Sequence, residues 1–394
     1  MLNAFKIFRH TGEANKPRDL RFEILRIIAM FMVVFCHAIV NSSLSHSKGA
    51  LSGAIFSSLS NFGKVGVAIF FILTGYFCCQ RQFNTKHIIK TFVHVWWYAI
   101  MVLLVFLVAS SLGLQSSTAW HSIDRLGAWG MLLSSILPIL SYGYWFIISY
   151  LILLLVSPML NKFVQHSNRK QLGYLILTLS TIRLVKYTFA PDPNPYLFFM
   201  VSITTYLIGA WIKLYGDTIK LKSYQIWLII CGCFTLSLGV HYAANLPIAH
   251  SSILAFLGLP EMTTNSGLTI AENYMGASIF ILFTRIKPIL SNSIFCRATR
   301  LISASALGVY LISDSMVIRE ALWERVDLLT TLSINDAFCI RLLALIIASV
   351  AVFVICNILS IIYDHLVANR MVKLTLNTGP IKRLCAKIDN IVND

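Results

Sequence analysis

The stretch RFEILRIIAMFMVVFCH, residues 21–37, is apolar except for charged residues near its start and one histidine at its end. Continued to residue 42, it has the length that an α-helix needs to cross about 30 Å of hydrocarbon. Ionisable side chains within membrane helices usually face the bundle interior or a water-filled cavity. We therefore treat Arg26 and His37 as candidate functional residues.

The whole chain shares this apolar character. Of its 394 residues, 57% are hydrophobic and 12% are charged, whereas a soluble domain carries about 25% charged residues. The composition predicts an all-α integral membrane protein whose constant partner is the lipid bilayer. The first membrane helix is expected to serve as an uncleaved signal.

Ten apolar segments predict a bundle of about ten transmembrane helices. They are 24–42, 62–79, 91–112, 144–163, 171–190, 197–214, 224–243, 268–285, 301–318 and 337–363. If the N-terminus is cytoplasmic, 24 of the 32 Lys and Arg residues fall in cytoplasmic connections and ends. Because such connections are enriched in Lys and Arg, we expect both termini to be cytoplasmic. The net charge of +16 then needs no nucleic-acid partner.

The predicted spans divide the chain into three parts. Residues 1–20 form a cytoplasmic N-terminal segment, residues 21–364 the transmembrane domain, and residues 365–394 a basic cytoplasmic tail. The tail is partly amphipathic, and both a membrane-surface anchor and a disordered end fit its pattern. The nine cysteines lack the spacing of a metal site, so no metal is expected.

The spacing of Arg26 and His37 places both side chains on one face of the first helix. Eleven residues make three turns plus about 20°, and they separate the two residues by roughly 16 Å along the axis. Glu23 shares this face and can pair with Arg26. An arginine suits phosphate groups and a histidine suits proton transfer, so the pair could hold a long ligand such as an acyl-CoA. The alternative is that Arg26 reaches to lipid headgroups and His37 only packs.

A second motif is GKVGVAIFFILTGYFCCQR, residues 63–81. Gly66 and Gly75 allow close approach of another helix or of a ligand. Arg81 follows on the predicted cytoplasmic side, where Arg26 also lies. Two arginines at one membrane face can form an anion site, although an ordinary positively charged flank explains Arg81 equally well.

Together these stretches resemble the membrane acyltransferase-3 family, whose multi-pass members acylate extracytoplasmic glycans. Arg26 and His37 match the R-x10-H signature, and GVAIFFILTGYF (66–77) resembles the family's G-V-x-x-F-F-x-L-S-G-Y/F segment, with Thr74 in place of serine. YWFIISYLILLLVSPMLN (144–161) and ALGVYLIS (306–313) are similar to weaker family segments. The resemblance runs from about residue 18 to 364. One departure is Ser313-Asp314, where many members have a histidine.

The resemblance implies an O-acyltransferase of the cytoplasmic membrane, with acyl-CoA, most often acetyl-CoA, as donor and no permanently bound cofactor. The acceptor would be a hydroxyl of a surface polysaccharide or lipid-linked glycan. Arg26 and Arg81 would bind the donor phosphates, and His37 would act as general base or acyl carrier. Further residues expected at the donor site are Glu23, Gly66, Thr74 and Gly75.

Other polar or aromatic residues in the membrane are candidates for the acceptor side. Arg183 and Lys186, near the predicted outer end of the fifth span, could attract an anionic glycan or reach outward to headgroups. Trp145 could stack on a sugar or belong to the interfacial aromatic belt. The expected acceptor-binding residues are Asp314, Ser313, Glu272 and Trp145.

Two other functional classes stay open at this point. A transporter or flippase of a glycan precursor could use Arg26, His37 and Asp314 to line a path, although the sequence lacks the internal symmetry common in transporters. A membrane protein that kept the fold and lost the chemistry is the other. The sequence leaves the oligomeric state open, a homo-oligomer included.

Overall fold

The computed structural model describes residues 18–42, 49–112, 129–130, 132–133, 135–138, 144–189, 195–244, 246, 269–291, 293–315, 317–331 and 338–393. Of the predicted N-terminal segment 1–20, only residues 18–20 lie within this part of the chain. The described residues contain helices and no strand, which agrees with the predicted all-α class.

The main helices are named here in chain order. They are α1 Leu20–Val40, α2 Ala50–Ser60, α3 Phe62–Cys78, α4 Thr85–Ser111, α5 Trp145–His166, α6 Arg169–Phe189, α7 Pro195–Tyr215, α8 Ser223–Ala244, α9 Thr269–Arg285, α10 Ile294–Ala304, α11 Ala306–Ser313, α12 Arg319–Thr331, α13 Phe338–Tyr363, α14 Asn369–Asn377 and α15 Gly379–Asn393.

Eight stretches of the described residues are helical, long and apolar enough to cross a membrane. They are Leu20–Val40, Ala50–Cys78, Thr85–Ser111, Trp145–His166, Phe198–Thr218, Ser223–Ala243, Ile294–Ser313 and Phe338–Asn377. The chain is therefore a multi-pass membrane protein. The two other predicted spans are the helices α6 and α9, which are less apolar or shorter: α6 carries Arg169, Lys170 and Arg183, and α9 has 17 residues including Glu272. The count of ten spans stays a prediction.

Several spans begin or end away from their predicted limits. The second starts at Ala50 rather than residue 62, because α2 and α3 follow each other with only Asn61 between them. The last continues to Asn377, since a π-helical turn at Asp364–Ala368 joins α13 to α14. Both helical stretches are therefore longer than the apolar segments predicted from the sequence.

One end of the bundle gathers the start of α1, the end of α3 and the start of α4, and we call it the arginine end because Arg26 and Arg81 lie there. The Leu20 amide donates to the Ile289 carbonyl after α9, at 3.0 Å. Arg18, before α1, and Asp364, directly after α13, both lie within electrostatic range of Lys90 near the start of α4, and Asn393 of α15 contacts Phe83 just before α4. The described termini therefore share one end, while the assignment of that end to the cytoplasm stays a prediction.

Asp19 fixes the first turn of α1. Its carboxylate accepts hydrogen bonds from the Arg21 backbone amide at 3.1 Å and from the Arg21 side chain at 2.6 and 2.9 Å. Arg21 in turn donates to carbonyls at the end of α9, at 2.9 Å for Thr284. Partial burial opposes ionisation of Asp19, but the Arg21 hydrogen bonds and charge outweigh it and keep the pKa of Asp19 below its usual value.

Helix α3 lies at the centre of the bundle and packs against α1, α7 and α9. A Cβ at Gly66 would strike the Ala29 carbonyl of α1, and one at Gly75 would strike the Tyr206 backbone of α7. Small residues at such contacts let helix backbones approach closely in a membrane, where packing drives association. By contrast, α4 and α13 expose apolar side chains such as Val108 (57%) and Ile347 (60%) to the surroundings.

Candidate functional site

Helix α1 is unbroken from Arg26 to His37, so the two residues lie on one face of α1, roughly 16 Å apart along the axis. At the arginine end, Arg26 donates to the Glu23 carboxylate at 2.8 Å. The Glu23 side chain is 3% exposed, whereas that of Arg26 is 30% exposed. Glu23 thus orients a guanidinium that can still reach a ligand.

Arg81 approaches Arg26 from the loop between α3 and α4. Both guanidinium groups act electrostatically on the Cys78 thiol at the end of α3. The loop is held by Asn161 of α5, whose Nδ2 donates to the Cys78 carbonyl at 2.9 Å and to the Arg81 carbonyl at 3.4 Å. Tyr206 fixes Asn161 through a 2.6 Å hydrogen bond. The two arginines that the sequence singles out therefore both lie within electrostatic range of the end of α3.

Two residues of α4, His87 and Lys90, lie near Arg81. The sequence analysis does not identify them as site residues. The His87 ring lies within electrostatic range of Arg81 and Lys90. Its Nε2 is 3.2 Å from the Tyr150 hydroxyl of α5. Both α4 residues and Arg81 are exposed. We call Arg26, Arg81, His87 and Lys90 the arginine cluster; the positive charges of Arg26, Arg81 and Lys90 are suited to phosphates.

The other predicted donor-site residues have their contacts within the helix bundle. Gly66 and Gly75 lie against the backbones of α1 and α7. The sequence left open whether another helix or a ligand approaches these glycines, and the structure shows another helix. The Thr74 hydroxyl donates to the Phe70 carbonyl of its own helix at 2.8 Å. None of these contacts indicates a ligand.

At the other end of the face on α1, His37 lies beside a helix that the sequence did not single out. The His37 and Trp323 rings are 6.1 Å apart between centroids, at an interplanar angle of 81°. Asp314 and Arg319 both lie within electrostatic range of the imidazole, and they pair with each other at 3.6 Å. Nδ1 of His37 is buried and has no hydrogen-bond partner among the residues that the structure describes. We call His37, Asp314, Arg319 and Trp323 the histidine cluster.

The end of α11 forms one wall of the histidine cluster. Trp323 is 1% exposed, and its Nε1 donates to the Ser313 carbonyl at 3.0 Å. The Ser313 hydroxyl is buried and has no partner within the described part of the chain. Asp314 also acts on the buried Tyr310. Ser313 and Asp314, where the family pattern often has histidine, thus lie close to His37.

Aromatic rings connect the two clusters. Tyr310 lies 5.6 Å from Phe146 of α5, and Phe146 lies 6.3 Å from Tyr150, measured between ring centroids. The Tyr150 hydroxyl reaches His87 of the arginine cluster, and Arg26 acts on Tyr150 electrostatically. Charged and reactive groups therefore lie at the two ends of an apolar wall.

Trp145 packs against α7 rather than against a residue of the histidine cluster. Its ring is tilted 30° against Phe198 of α7, with centroids 4.3 Å apart. The neighbouring Tyr144 faces α11 instead and donates to the Leu311 carbonyl at 3.2 Å. The structure therefore associates Tyr144, rather than Trp145, with the surroundings of Asp314.

Glu272 belongs to a second buried polar cluster. It is 2% exposed, and neither carboxylate oxygen has a hydrogen-bond partner among the described residues. Lys64 and Arg183 lie within electrostatic range, and Arg183 is fully buried rather than reaching outward. The Lys64 ammonium donates to Asn61 at 2.9 Å. The side chain of Lys186, the other cation predicted here, lies outside the described residues.

The tight contact between α1 and α3 lies between the two buried clusters. A Cβ at Gly63 would strike the side chain of Cys36. The Cys36 thiol lies within electrostatic range of both Lys64 and Asp314 of the histidine cluster. The charged groups that act electrostatically on His37 are Asp314 and Arg319, and Glu272 is not among them.

Comparison with known proteins gives one family match. A family model described as an acyltransferase domain matches residues 19–362, which covers α1 to α13. No curated protein and no solved structure matches the chain.

Proposed function

The chain belongs to the acyltransferase-3 family, a family of membrane acyltransferases, and on that premise we propose that it transfers an acetyl group from acetyl-CoA to a glycan hydroxyl. The donor enters from the cytoplasm at the arginine end. The acceptor is a surface polysaccharide or lipid-linked glycan on the opposite side of the cytoplasmic membrane. One observation supports this most: the arginine cluster and the histidine cluster are joined by the ring contacts of Tyr310, Phe146 and Tyr150.

The donor is held by charge at one end. Arg26 and Arg81 bind the phosphates of the nucleotide, because guanidinium groups hold phosphate oxygens through paired hydrogen bonds. Lys90 adds positive charge to the same region, within electrostatic range of His87. The acyl-bearing arm then extends along the aromatic wall toward His37. Burial there keeps water from competing with the acceptor hydroxyl.

His37 carries out the proton transfer. In its neutral form an imidazole has one nitrogen free to accept a proton, and Nδ1 has no partner among the described residues. It takes the proton of the acceptor hydroxyl as the oxygen attacks the thioester carbonyl, and it returns a proton to the departing CoA thiolate. In the covalent alternative the His37 imidazole attacks the thioester carbonyl and CoA leaves as the thiolate, after which the acceptor oxygen attacks the acyl-imidazole and releases the ring. Asp314, within electrostatic range, stabilises the imidazolium in either route.

Acceptor recognition falls to the far end of the histidine cluster. The buried Ser313 hydroxyl, which has no partner among the described residues, and the Asp314 carboxylate, which pairs with Arg319, contact sugar hydroxyls from the end of α11. Trp145 packs against Phe198, and Glu272 lies within electrostatic range of Lys64 and Arg183, so neither is assigned to the histidine cluster. We therefore assign the first acceptor contacts to Ser313 and Asp314.

Binding of coenzyme A to the purified protein in detergent tests the donor half. Arg26→Ala and Arg81→Ala should each weaken the Kd by about 10-fold or more, the cost of a lost charge-assisted contact. Arg285→Ala is the matched control, an exposed arginine at the end of α9. Equal Kd values for all three variants would contradict the assignment.

Mass spectrometry of surface glycans tests the acceptor half. A strain that lacks the protein should lose the acetyl increment from one glycan, and the wild-type chain should restore it. If acetylation is unchanged and transport of a lipid-linked precursor is altered instead, the transporter alternative is correct.

A further inference from the structure

The loop that carries Arg81 is bound by the C-terminal helix α15. Asn393 pairs with the backbone of Phe83 at two points: its Oδ1 accepts from the Phe83 amide at 2.9 Å, and its Nδ2 donates to the Phe83 carbonyl at 3.1 Å. Loop amides and carbonyls need such partners when they are not in regular structure. A residue 310 positions away in the chain supplies them here.

One turn earlier on α15, Asp389 fixes the start of α4. Its Oδ1 accepts from the Thr85 amide at 2.7 Å and from the Thr85 hydroxyl at 2.6 Å. The first amides of a helix lack partners within the helix and attract negative charge. Asp389 therefore holds the point at which the loop becomes α4, two residues before His87 of the arginine cluster.

The beginning of the same loop is held by α5. Asn161 binds the Cys78 and Arg81 carbonyls, and Gln165 binds the Cys79 carbonyl at 3.4 Å. Arg81 thus lies between a part of the loop fixed by α5 and a part fixed by α15. Helix α15 lies beyond the residues matched by the family model, which end at 362.

From these contacts we propose that α15 is a positioning element for the donor site and that Asp389 and Asn393 are its positioning residues. They hold the loop so that the Arg81 guanidinium is already placed for the phosphates of acyl-CoA. A freely moving loop would lose conformational entropy when the ligand binds, and a held loop avoids that loss. This inference rests on the proposed donor site.

The test combines coenzyme A binding with hydrogen exchange on the purified full chain. Asn393→Ala and Asp389→Ala should each speed exchange in the peptide over residues 79–86 and weaken the Kd for coenzyme A by about 3- to 10-fold. The KM for acetyl-CoA should rise similarly while kcat stays within about twofold. Asn390→Ala, an exposed neighbour on the same helix, should match wild type. Asp389→Asn keeps an acceptor oxygen and should lose less affinity than Asp389→Ala.

The inference is overturned if Asn393→Ala and Asp389→Ala bind coenzyme A as Asn390→Ala does while Arg81→Ala binds it more weakly. It is also overturned if exchange over residues 79–86 is unchanged in both variants. If Arg81→Ala itself binds coenzyme A normally, the donor site is wrong, and the role of α15 fails with it. The Arg81 variant thus separates the failure of the donor site from the failure of its support.

Discussion

The rings of His37 and Trp323 meet nearly at right angles, with their centroids 6.1 Å apart. The same tryptophan donates a hydrogen bond to the Ser313 carbonyl at 3.0 Å. One side chain of α12 therefore sets the position of α1 and of the end of α11 relative to each other. The proposed base and the proposed acceptor contacts depend on it together.

Replacing Trp323 with Phe tests this relationship. The variant keeps an aromatic ring beside His37 but loses the donor to Ser313, so we expect kcat to fall by about 10-fold through misplacement of the acceptor contacts. Acetyl transfer at saturating acetyl-CoA is the measurement. Trp227→Phe, at an exposed position of α8 (57%), is the control. Equal rates for both variants would show that Trp323 only fills space.

The sequence predicts one half of this site better than the other. Arg26 and His37 lie on one helix, so helical spacing alone places them on one face, as found. Trp323 and Arg319 lie in the more polar segment REALWERVDLLTT, far along the chain from His37, and no local periodicity relates such distant residues. The contact of Asn393 with Phe83 is hidden for the same reason.

Fold prediction followed a similar division. Hydropathy alone locates the most apolar segments, such as that of α13, whereas the serines of α2 in ALSGAIFSSLS resemble those of a loop. Gly66 and Gly75 were correctly marked as points of close approach. The groups that approach them are the backbones of Ala29 and Tyr206. Their identity depends on how whole helices pack, so the sequence of one segment does not predict it.

The glycine contacts predict that Gly75→Ala destabilises the bundle. Its Cβ would meet the Tyr206 backbone, which cannot rotate away as a flexible side chain can, so we expect a loss of about 1–3 kcal/mol in the free energy of unfolding. Thermal unfolding in detergent measures it. Gly232→Ala is the control, because nothing lies within 4 Å of that position. A stable Gly75→Ala variant that binds coenzyme A poorly would instead favour a ligand contact.

Glu272 is expected to act as the counter-charge of its cluster. Glu272→Gln removes a carboxylate that lies within electrostatic range of Lys64 and Arg183 without a hydrogen bond among the described residues, so we expect a loss of about 0.5–3 kcal/mol, the range of interaction energies between neighbouring groups. The change should therefore lower the unfolding temperature. Adding Lys64→Met should recover part of the loss, because it removes one uncompensated charge. A Glu272→Gln protein with normal stability and a raised KM for the glycan would instead make Glu272 an acceptor contact.

The hydrogen bonds of Asp19 predict a pH-dependent contribution to stability. Because the pKa of Asp19 is lowered in the folded protein, its contribution is present above the unfolded value of about 3.9 and is lost as the pH falls through the folded value. At pH 7, Asp19→Asn should therefore lower the unfolding temperature by about 1–3 °C. Near pH 2 the wild-type protein and the variant should converge. A constant difference across this range would show that Asp19 acts only as a helix cap.

Glycan acetylation tests the role of His37 most directly when a strain carries His37→Ala in place of the wild-type chain at equal expression. The matched control is His166→Ala, an exposed histidine at the end of α5 whose ring bonds only to its own helix among the described residues. We expect full acetylation with His166→Ala and none with His37→Ala. Full acetylation with His37→Ala would contradict the assignment of His37 as base or acyl carrier.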